Sequence, residues 1–276
     1  MDDAKKFKAE LKRLLRMHGQ QGWWPRLVVD GEREALSVVH HPGPKTRWLS
    51  KTRADQAFEV AIGAILTQNT AWTNVEKALV CLATKGLTTS RILSRARLPS
   101  IESCIRSSGY FRQKARKLKL FAKFVEENLG GDLHNLNTIC RLERGETKSK
   151  DLLSKASLLK ILRSAQDDDP SKASLLKILR SAQDDDLVLA RERLLSLWGI
   201  GPETADTILL YGLDRPVFVV DAYTRRLLFK LTGDASWSKR PYDEVRRFCE
   251  SAFTDPSVGN FQEAHALIVR WGKENR

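Results

Sequence analysis

The sequence predicts an all-α fold, and three observations carry that prediction. Apolar residues recur at helical spacing through most of the 276 residues. Alternation of apolar and polar residues, the mark of a half-buried strand, is almost absent, with Val217 to Val220 (VFVV) the one short candidate. A Gly-Ile-Gly turn at Gly199 to Gly201 joins two stretches that stop and restart as helices do.

Taken in order, the chain opens with MDDAKKFKAELKRLLRMHG, a charged amphipathic pattern without the apolar centre of a secretory signal. Gly22-Trp23-Trp24-Pro25 follows. Residues 31–52 hold prolines and glycines but no sustained period, which predicts a loop. Phe58, Ile62, Ile65 and Leu66 then share one helix face, as do Trp72, Val75, Leu79 and Leu82, and next Leu118, Phe121, Ala122 and Val125. Ser154 to Asp169 reads SKASLLKILRSAQDDD, and Ser171 to Asp186 repeats it without change after Pro170. Two copies are too few for a solenoid, which needs about three. Residues 141–186 are therefore expected to be an inserted surface excursion, tolerated because lengthening a loop adds little closure entropy. Helical pattern returns at Leu187 to Leu197, Pro202 to Tyr211, Ala222 to Leu231 and Phe261 to Trp271.

The formal net charge is +13. The two repeats carry six basic residues and six aspartates, so that excess belongs to the rest of the chain. A surface this basic suits a polyanion, whose released counterions supply sequence-independent affinity. The four cysteines (Cys81, Cys104, Cys140, Cys249) are scattered without a CxxC pair. That fits reduced thiols in a cytoplasm rather than a disulfide framework or a zinc site. No run of eighteen apolar residues occurs, so neither a transmembrane helix nor a membrane partner is expected.

Leu197 to Tyr211, LWGIGPETADTILLY, is the most informative segment. Pro202 stands where a new helix takes its first residue. Gly199 and Gly201 allow backbone conformations closed to other residues and a close approach by a phosphate. The amides at Gly201 and the helix start would face outward as an anion site. Ile200 would pack the turn onto its helices, and Thr204 and Ala205 are small enough for a close crossing. The string matches the helix-hairpin-helix motif, which grips a DNA backbone without reading bases.

Downstream, VFVVDAYTRRLL places Asp221 immediately before a helix, where it can cap it. Hairpin and aspartate together resemble the endonuclease III superfamily of DNA glycosylases. The resemblance makes Asp221 the catalytic aspartate and puts Arg225 at a matching arginine. A capping carboxylate is held rigidly and kept ionised, so it could stabilise an oxocarbenium-like sugar or orient water. Members that also cut the strand carry a lysine two residues after the second hairpin glycine. That position is Glu203, which cannot form a Schiff base. Many members end in four cysteines around an iron–sulfur cluster. Beyond Asp221 this chain has only Cys249, so no cluster and no other metal is expected.

AIGAILTQNTAW (Ala61 to Trp72) resembles the segment whose glutamine fills the gap left by a flipped nucleotide, which makes Gln68 that residue. Trp23, Trp24 and Pro25, with Trp72, resemble the cluster-free branch that acts as 3-methyladenine DNA glycosylase, and in that branch they form the base pocket. Stacked indoles suit a cationic alkylated adenine. SGYFRQKARKL (Ser108 to Leu118) resembles the branch's DNA-facing stretch, and Arg270 to Lys273 its terminal helix. The resemblance implies two helical lobes with a DNA cleft between them. One lobe is 53–212, and the other is built from 1–52 and 213–276. The implied protein is a monomeric, cytoplasmic, nucleoid-associated glycosylase that removes alkylated purines from double-stranded DNA without cutting the backbone. The alternatives are a glycosylase for oxidised or mismatched bases and a non-catalytic hairpin protein that only binds DNA.

Overall fold

The computed structural model describes residues 2–30, 35–40, 46–50, 52–136 and 186–275. The duplicated segment, Asp186 apart, lies outside the described residues. Helices dominate: α1 (Asp3–His18), α2 (Arg53–Thr67), α3 (Trp72–Thr84), α4 (Ser90–Arg95), α5 (Leu98–Ile105), α6 (Phe111–Leu129) and α7 (186–195). After the hairpin come α8 (Pro202–Thr207), which widens into a π-helical turn (Ile208–Gly212), then α9 (Ala222–Thr232), α10 (Tyr242–Ser251) and α11 (Val258–Glu274).

The periodic faces read from the sequence are the buried ones. In α2 every residue from Ala57 to Leu66 is buried, because α3, α6, α8 and the π turn pack around it. Burying each of Ile62, Ile65 and Leu66 contributes roughly 2 kcal/mol relative to exposure. Phe58 stacks on Phe121 of α6 with ring centroids 6.1 Å apart. At the other end of the molecule the two termini meet, with α1 packed on α9, α10 and α11.

The loop expected over residues 31–52 is corrected in part. A three-stranded antiparallel sheet is present, β1 (Arg26–Asp30), β2 (Leu36–Val39) and β3 (Thr46–Trp48), in the order β2-β1-β3. Leu27 pairs with Val38, and Val28 with both Ser37 and Trp48. Strands this short show no alternation when, as in β1, Leu27, Val28 and Val29 are all buried. Valines in β1 and β2, and Thr46 and Trp48 in β3, supply the strand preference instead. The segment that did look like a strand, Val217 to Val220, forms none. It is an extended run with all four side chains buried, leading into Asp221.

Glu59 of α2 fixes the sheet to the helices. It is 2 % exposed, accepts the Leu27 N–H at 2.7 Å and accepts the Ser50 hydroxyl. Burial pushes its carboxyl upward, against the pull of those two bonds and of Arg26. Because β1 starts at Arg26, this anchor also sets the position of the tryptophans just before it.

Candidate active site

The hairpin has the geometry its sequence implies. Gly199 takes φ +84°, a left-handed conformation that favours glycine, and Ile200 is 6 % exposed, its amide bonded to the Leu197 carbonyl at 3.1 Å. Gly201 caps α8, with Pro202 as first helical residue and Ala205 N–H bonded to the Gly201 carbonyl at 2.9 Å. No described residue lies within 4 Å of where a Gly201 side chain would sit, so among these residues its backbone is open to an approaching group. Below the turn, Arg191 of α7 grips the fully buried Asp206 of α8 at 2.6 Å and reaches Asp243 of α10 at 2.8 Å. The hairpin is thereby tied to α10.

Gln68 sits at the C-terminal cap of α2 with its side chain turned onto the hairpin. Its Nε2 donates to the Gly199 carbonyl at 3.0 Å and to Thr204 Oγ1 at 2.9 Å. Its Oε1 accepts from Lys117 Nζ at 2.6 Å. The Lys117 chain runs under Gly199 so closely that a Cβ there would lie 2.6 Å from Lys117 Cε. The neighbouring Lys114 is buried and holds the end of α2, donating to the Leu66 carbonyl at 2.8 Å, to Thr70 Oγ1 at 2.9 Å and to the Ser108 carbonyl at 2.6 Å. Burial, then the charge of Lys117, depress its ammonium to about 8.

Asp221 is the N-cap of α9 in a reciprocal capping box with Thr224. Its Oδ1 accepts from Thr224 N at 2.7 Å and from Thr224 Oγ1 at 2.9 Å, and its Oδ2 lies 3.7 Å from His265 Nε2. The side chain is 12 % exposed. Burial alone would raise this carboxyl, but His265 and the Thr224 donors outweigh it and hold it below the usual carboxylate range. Glu203 moves the other way. The protein mass around it, then the charge of Asp221, push its carboxyl up to about 7, although its side chain opens to solvent, which screens part of that effect. Arg225 does not face the carboxylates as a ligand; its Nη1 donates to the Trp237 and Arg240 carbonyls at 2.7 and 2.9 Å and braces the turn after α9.

The predicted aromatic residues do come together. Trp24 meets Trp72 at 5.1 Å between ring centroids and Tyr211 at 5.2 Å. Trp23 meets Trp24 at 5.8 Å, His265 at 5.9 Å and Trp72 at 6.2 Å. Pro25 is buried beneath them at the head of β1. The rings meet one another edge-on or tilted rather than stacked face to face. Gly63 permits this packing, since a Cβ there would come within 3.1 Å of the Trp24 indole. The Trp72 Nε1 donor is buried with no hydrogen-bond partner among the described residues. Lys273 Nζ lies 5.8 Å from the Trp23 ring, beside a cavity of about 430 Å³ that Trp23, His40 and Arg270 also line.

Sequence reasoning missed His265, Tyr211, Lys117 and Gly63. The histidine and tyrosine read as core residues of amphipathic helices, and both are indeed buried. No local signal joins them to Asp221, because the contacts run between segments distant in sequence. A glycine inside the apolar run AIGAIL was the one available hint of a close approach to α2.

A Gly-Ile-Gly hairpin between two helices, a capping aspartate held below the usual carboxylate range and a cluster of indoles stand together on a helical frame. Residues 62–254 match the model of the HhH-GPD superfamily of base excision DNA repair proteins, and the chain belongs to that superfamily. By class it is a DNA glycosylase of base excision repair. It is similar to a protein of Methanocaldococcus jannaschii described as a DNA repair glycosylase, 32% identical over 263 residues that cover 95% of this chain and 85% of the relative. Its fold is similar to that of the H. pylori 3-methyladenine DNA glycosylase MagIII bound to 1,N6-ethenoadenine, at a TM-score of 0.59 and 20% identity over 100% of this chain and 99% of that one. It is also similar to endonuclease III trapped as a covalent intermediate with DNA, at a TM-score of 0.58 and 16% identity over 99% of this chain and 88% of that one.

Proposed function

We propose that the protein is a monofunctional, monomeric glycosylase that hydrolyses the N-glycosidic bond of alkylated purines such as 3-methyladenine in double-stranded DNA. The observation that carries this reading is Asp221. One of its oxygens is fixed by the helix it caps, the other is unclaimed by that cap, and the carboxylate, held below the usual range, faces His265, whose ring meets Trp23 at 5.9 Å. In this reading the open amides around Gly201 hold a backbone phosphate. Gln68 exchanges its bonds to Gly199 and Thr204 for the stack as the damaged nucleotide leaves it. Trp23, Trp24 and Trp72 part around the extruded base and stabilise its positive charge. The bond from C1′ to the base nitrogen breaks with its electron pair going to the base, which departs neutral and needs no strong acid. Asp221 offsets the charge on the sugar while water adds at C1′, and the proton released passes to the carboxylate or to solvent.

One feature supports hydrolysis without strand cutting, and a second bears on the cofactor. Glu203 occupies the lysine position of the strand-cutting members, and a carboxylate forms no imine. Beyond Asp221 the only cysteine is Cys249, fully buried in the core, so the residues present do not fit a four-cysteine cluster and the proposed enzyme works without one. The 1,N6-ethenoadenine bound to the similar H. pylori protein is an adenine derivative, which is consistent with a purine substrate. The working compartment in this reading is the cytoplasm, at the nucleoid.

The test is the free-base product from methylated and from oxidised duplexes, with strand integrity and borohydride trapping followed in parallel. Release of 3-methyladenine, an intact abasic strand and no trapped adduct are expected. Release from oxidised duplexes alone would overturn the substrate, and a trapped adduct would overturn the hydrolytic mechanism.

A further inference from the structure

The π turn, the start of α9 and α11 come together around Asp221. Tyr211 Oη lies 2.8 Å from His265 Nδ1 and 3.3 Å from the Gln262 carbonyl, and His265 Nε2 lies 3.7 Å from Asp221 Oδ2. Tyr211 and His265 are 8 % and 5 % exposed, so neither is loosely held. Burial keeps the Tyr211 phenol far above its ordinary value, and it stays a hydroxyl with one proton to give. If that proton goes to Nδ1, a neutral ring carries its own proton on Nε2, facing Asp221. If the ring is protonated, Nε2 again carries a proton. In the remaining arrangement a bare Nε2 lone pair would face a carboxylate, which repels. The allowed states agree that an N–H points at Oδ2.

We propose that His265, oriented by Tyr211, is the positioning residue of Asp221, aligning Oδ2 for the reaction through its Nε2–H. The proposal rests on the reading of Asp221 as the catalytic carboxylate. Thr224 holds only Oδ1, so without His265 nothing among the described hydrogen bonds and ion pairs fixes the second oxygen. The 3.7 Å separation is longer than a ring N–H···O bond of about 2.9 Å. Such contacts often tighten only when substrate is bound.

A pH signature follows, since burial raises the Asp221 carboxyl and His265 is the main group opposing it. The groups that face Asp221 are few. Thr224 belongs to its own helix, which also carries Arg225. Glu203 comes from α8, Tyr211 from the π turn, His265 from α11 and Cys249 from α10; Asp221 pushes the Glu203, Tyr211 and Cys249 protons toward retention. Removing His265 leaves burial less opposed, so the carboxylate protonates at higher pH and the acidic limb of the rate profile moves upward.

The experiment compares single-turnover release of free base across pH for the wild type, His265→Leu, His265→Gln, Tyr211→Phe and Asp221→Asn, with duplex affinity and thermal unfolding measured on each. His265→Leu is expected to lose at least about tenfold in rate with its acidic limb shifted to higher pH. His265→Gln, which keeps an N–H near Nε2 but no charge, should recover much of the rate while the limb stays shifted. Tyr211→Phe, which removes only the hydroxyl, should move both in the same direction by less. Duplex affinity should stay within about twofold throughout, since none of these groups belongs to the hairpin that anchors the DNA backbone. An acidic limb that coincides with wild type in His265→Leu, or in Tyr211→Phe should the leucine variant not fold, overturns the proposal. Asp221→Asn separates the two layers. If it releases base like wild type, the catalytic reading itself fails; if it is inactive while the limb of the other variants is unmoved, only the role of His265 fails.

Discussion

Gln68 Nε2 donates to Thr204 Oγ1 at 2.9 Å, so the residue proposed to enter the DNA stack is bonded to the hairpin proposed to hold the DNA backbone. With the bonds to Gly199 and Lys117, its whole amide is engaged. In the proposed mechanism gripping phosphate and filling the gap are thus linked through one side chain, and the substitution Gln68→Ala separates them. Its stability cost should be about 1–3 kcal/mol, the net worth of three part-exposed hydrogen bonds, one of them to a charged group. Base release should fall more than duplex affinity, because the plug is lost while the hairpin amides remain. Single-turnover rates and fluorescence anisotropy on the same variant check this; equal losses in both would contradict it.

The two hairpin glycines should respond differently to alanine. Gly199→Ala forces a side chain into φ +84° and against Lys117, a strain of roughly 1–2 kcal/mol, so it should lower the melting temperature as well as duplex affinity. Gly201 has φ −93° and open space at its Cβ, so Gly201→Ala should melt like wild type and yet bind duplex more weakly. The weakening comes from a methyl group standing where a phosphate would approach. Wild-type affinity in Gly201→Ala would mean the phosphate is held elsewhere.

At Asp221 the cap and the chemistry come apart by choice of substitution. Asparagine is as good an N-cap as aspartate, so Asp221→Asn should unfold at the wild-type temperature while base release drops by roughly 10²–10³, the usual cost of removing one electrostatic stabiliser. Asp221→Ala should show the same loss of rate and in addition cost about 1 kcal/mol of stability. Thermal melts alongside rates give both numbers.

Lys114 offers a test on stability alone. Its ammonium is lowered to about 8 in the folded protein from an ordinary 10.5. Between those values the unfolded chain binds the additional proton, so this residue makes stability rise with pH through that window and contributes no slope below it. The full effect is at most ~3 kcal/mol. Denaturant unfolding of wild type and Lys114→Met should therefore diverge in favour of the wild type as pH climbs from about 8 toward 10.5. Parallel curves would show that the ammonium is not held as the structure places it.

What was legible in the sequence was what local chemistry encodes. The hairpin lies within LWGIGPETADTILLY, and Asp221 announces itself as a cap before an amphipathic helix. The paired tryptophans are adjacent, and each helix face repeats at its own period. The sheet was not legible because β1, β2 and β3 are three to five residues long, and the central strand buries consecutive side chains, erasing the alternation that marks a strand. The extended VFVV run shows the converse, since four buried β-formers need no partner strand when helices cover them. His265 was invisible for a third reason. A histidine on the apolar face of a helix reads as packing, and only the meeting of α11 with the start of α9 turns it toward a carboxylate.

The aromatic pocket and the hairpin differ in how they are written into the chain. Glycines, proline and threonine of the hairpin sit within a few consecutive residues, and each must keep its backbone geometry for the turn to exist. The rings around the pocket come instead from the stretch before β1, the start of α3, the π turn and α11. A substitution in any one of these reshapes one wall and leaves the others standing. In the proposed mechanism the choice of base can therefore be altered one residue at a time, whereas the grip on the DNA backbone stands or falls with one short segment.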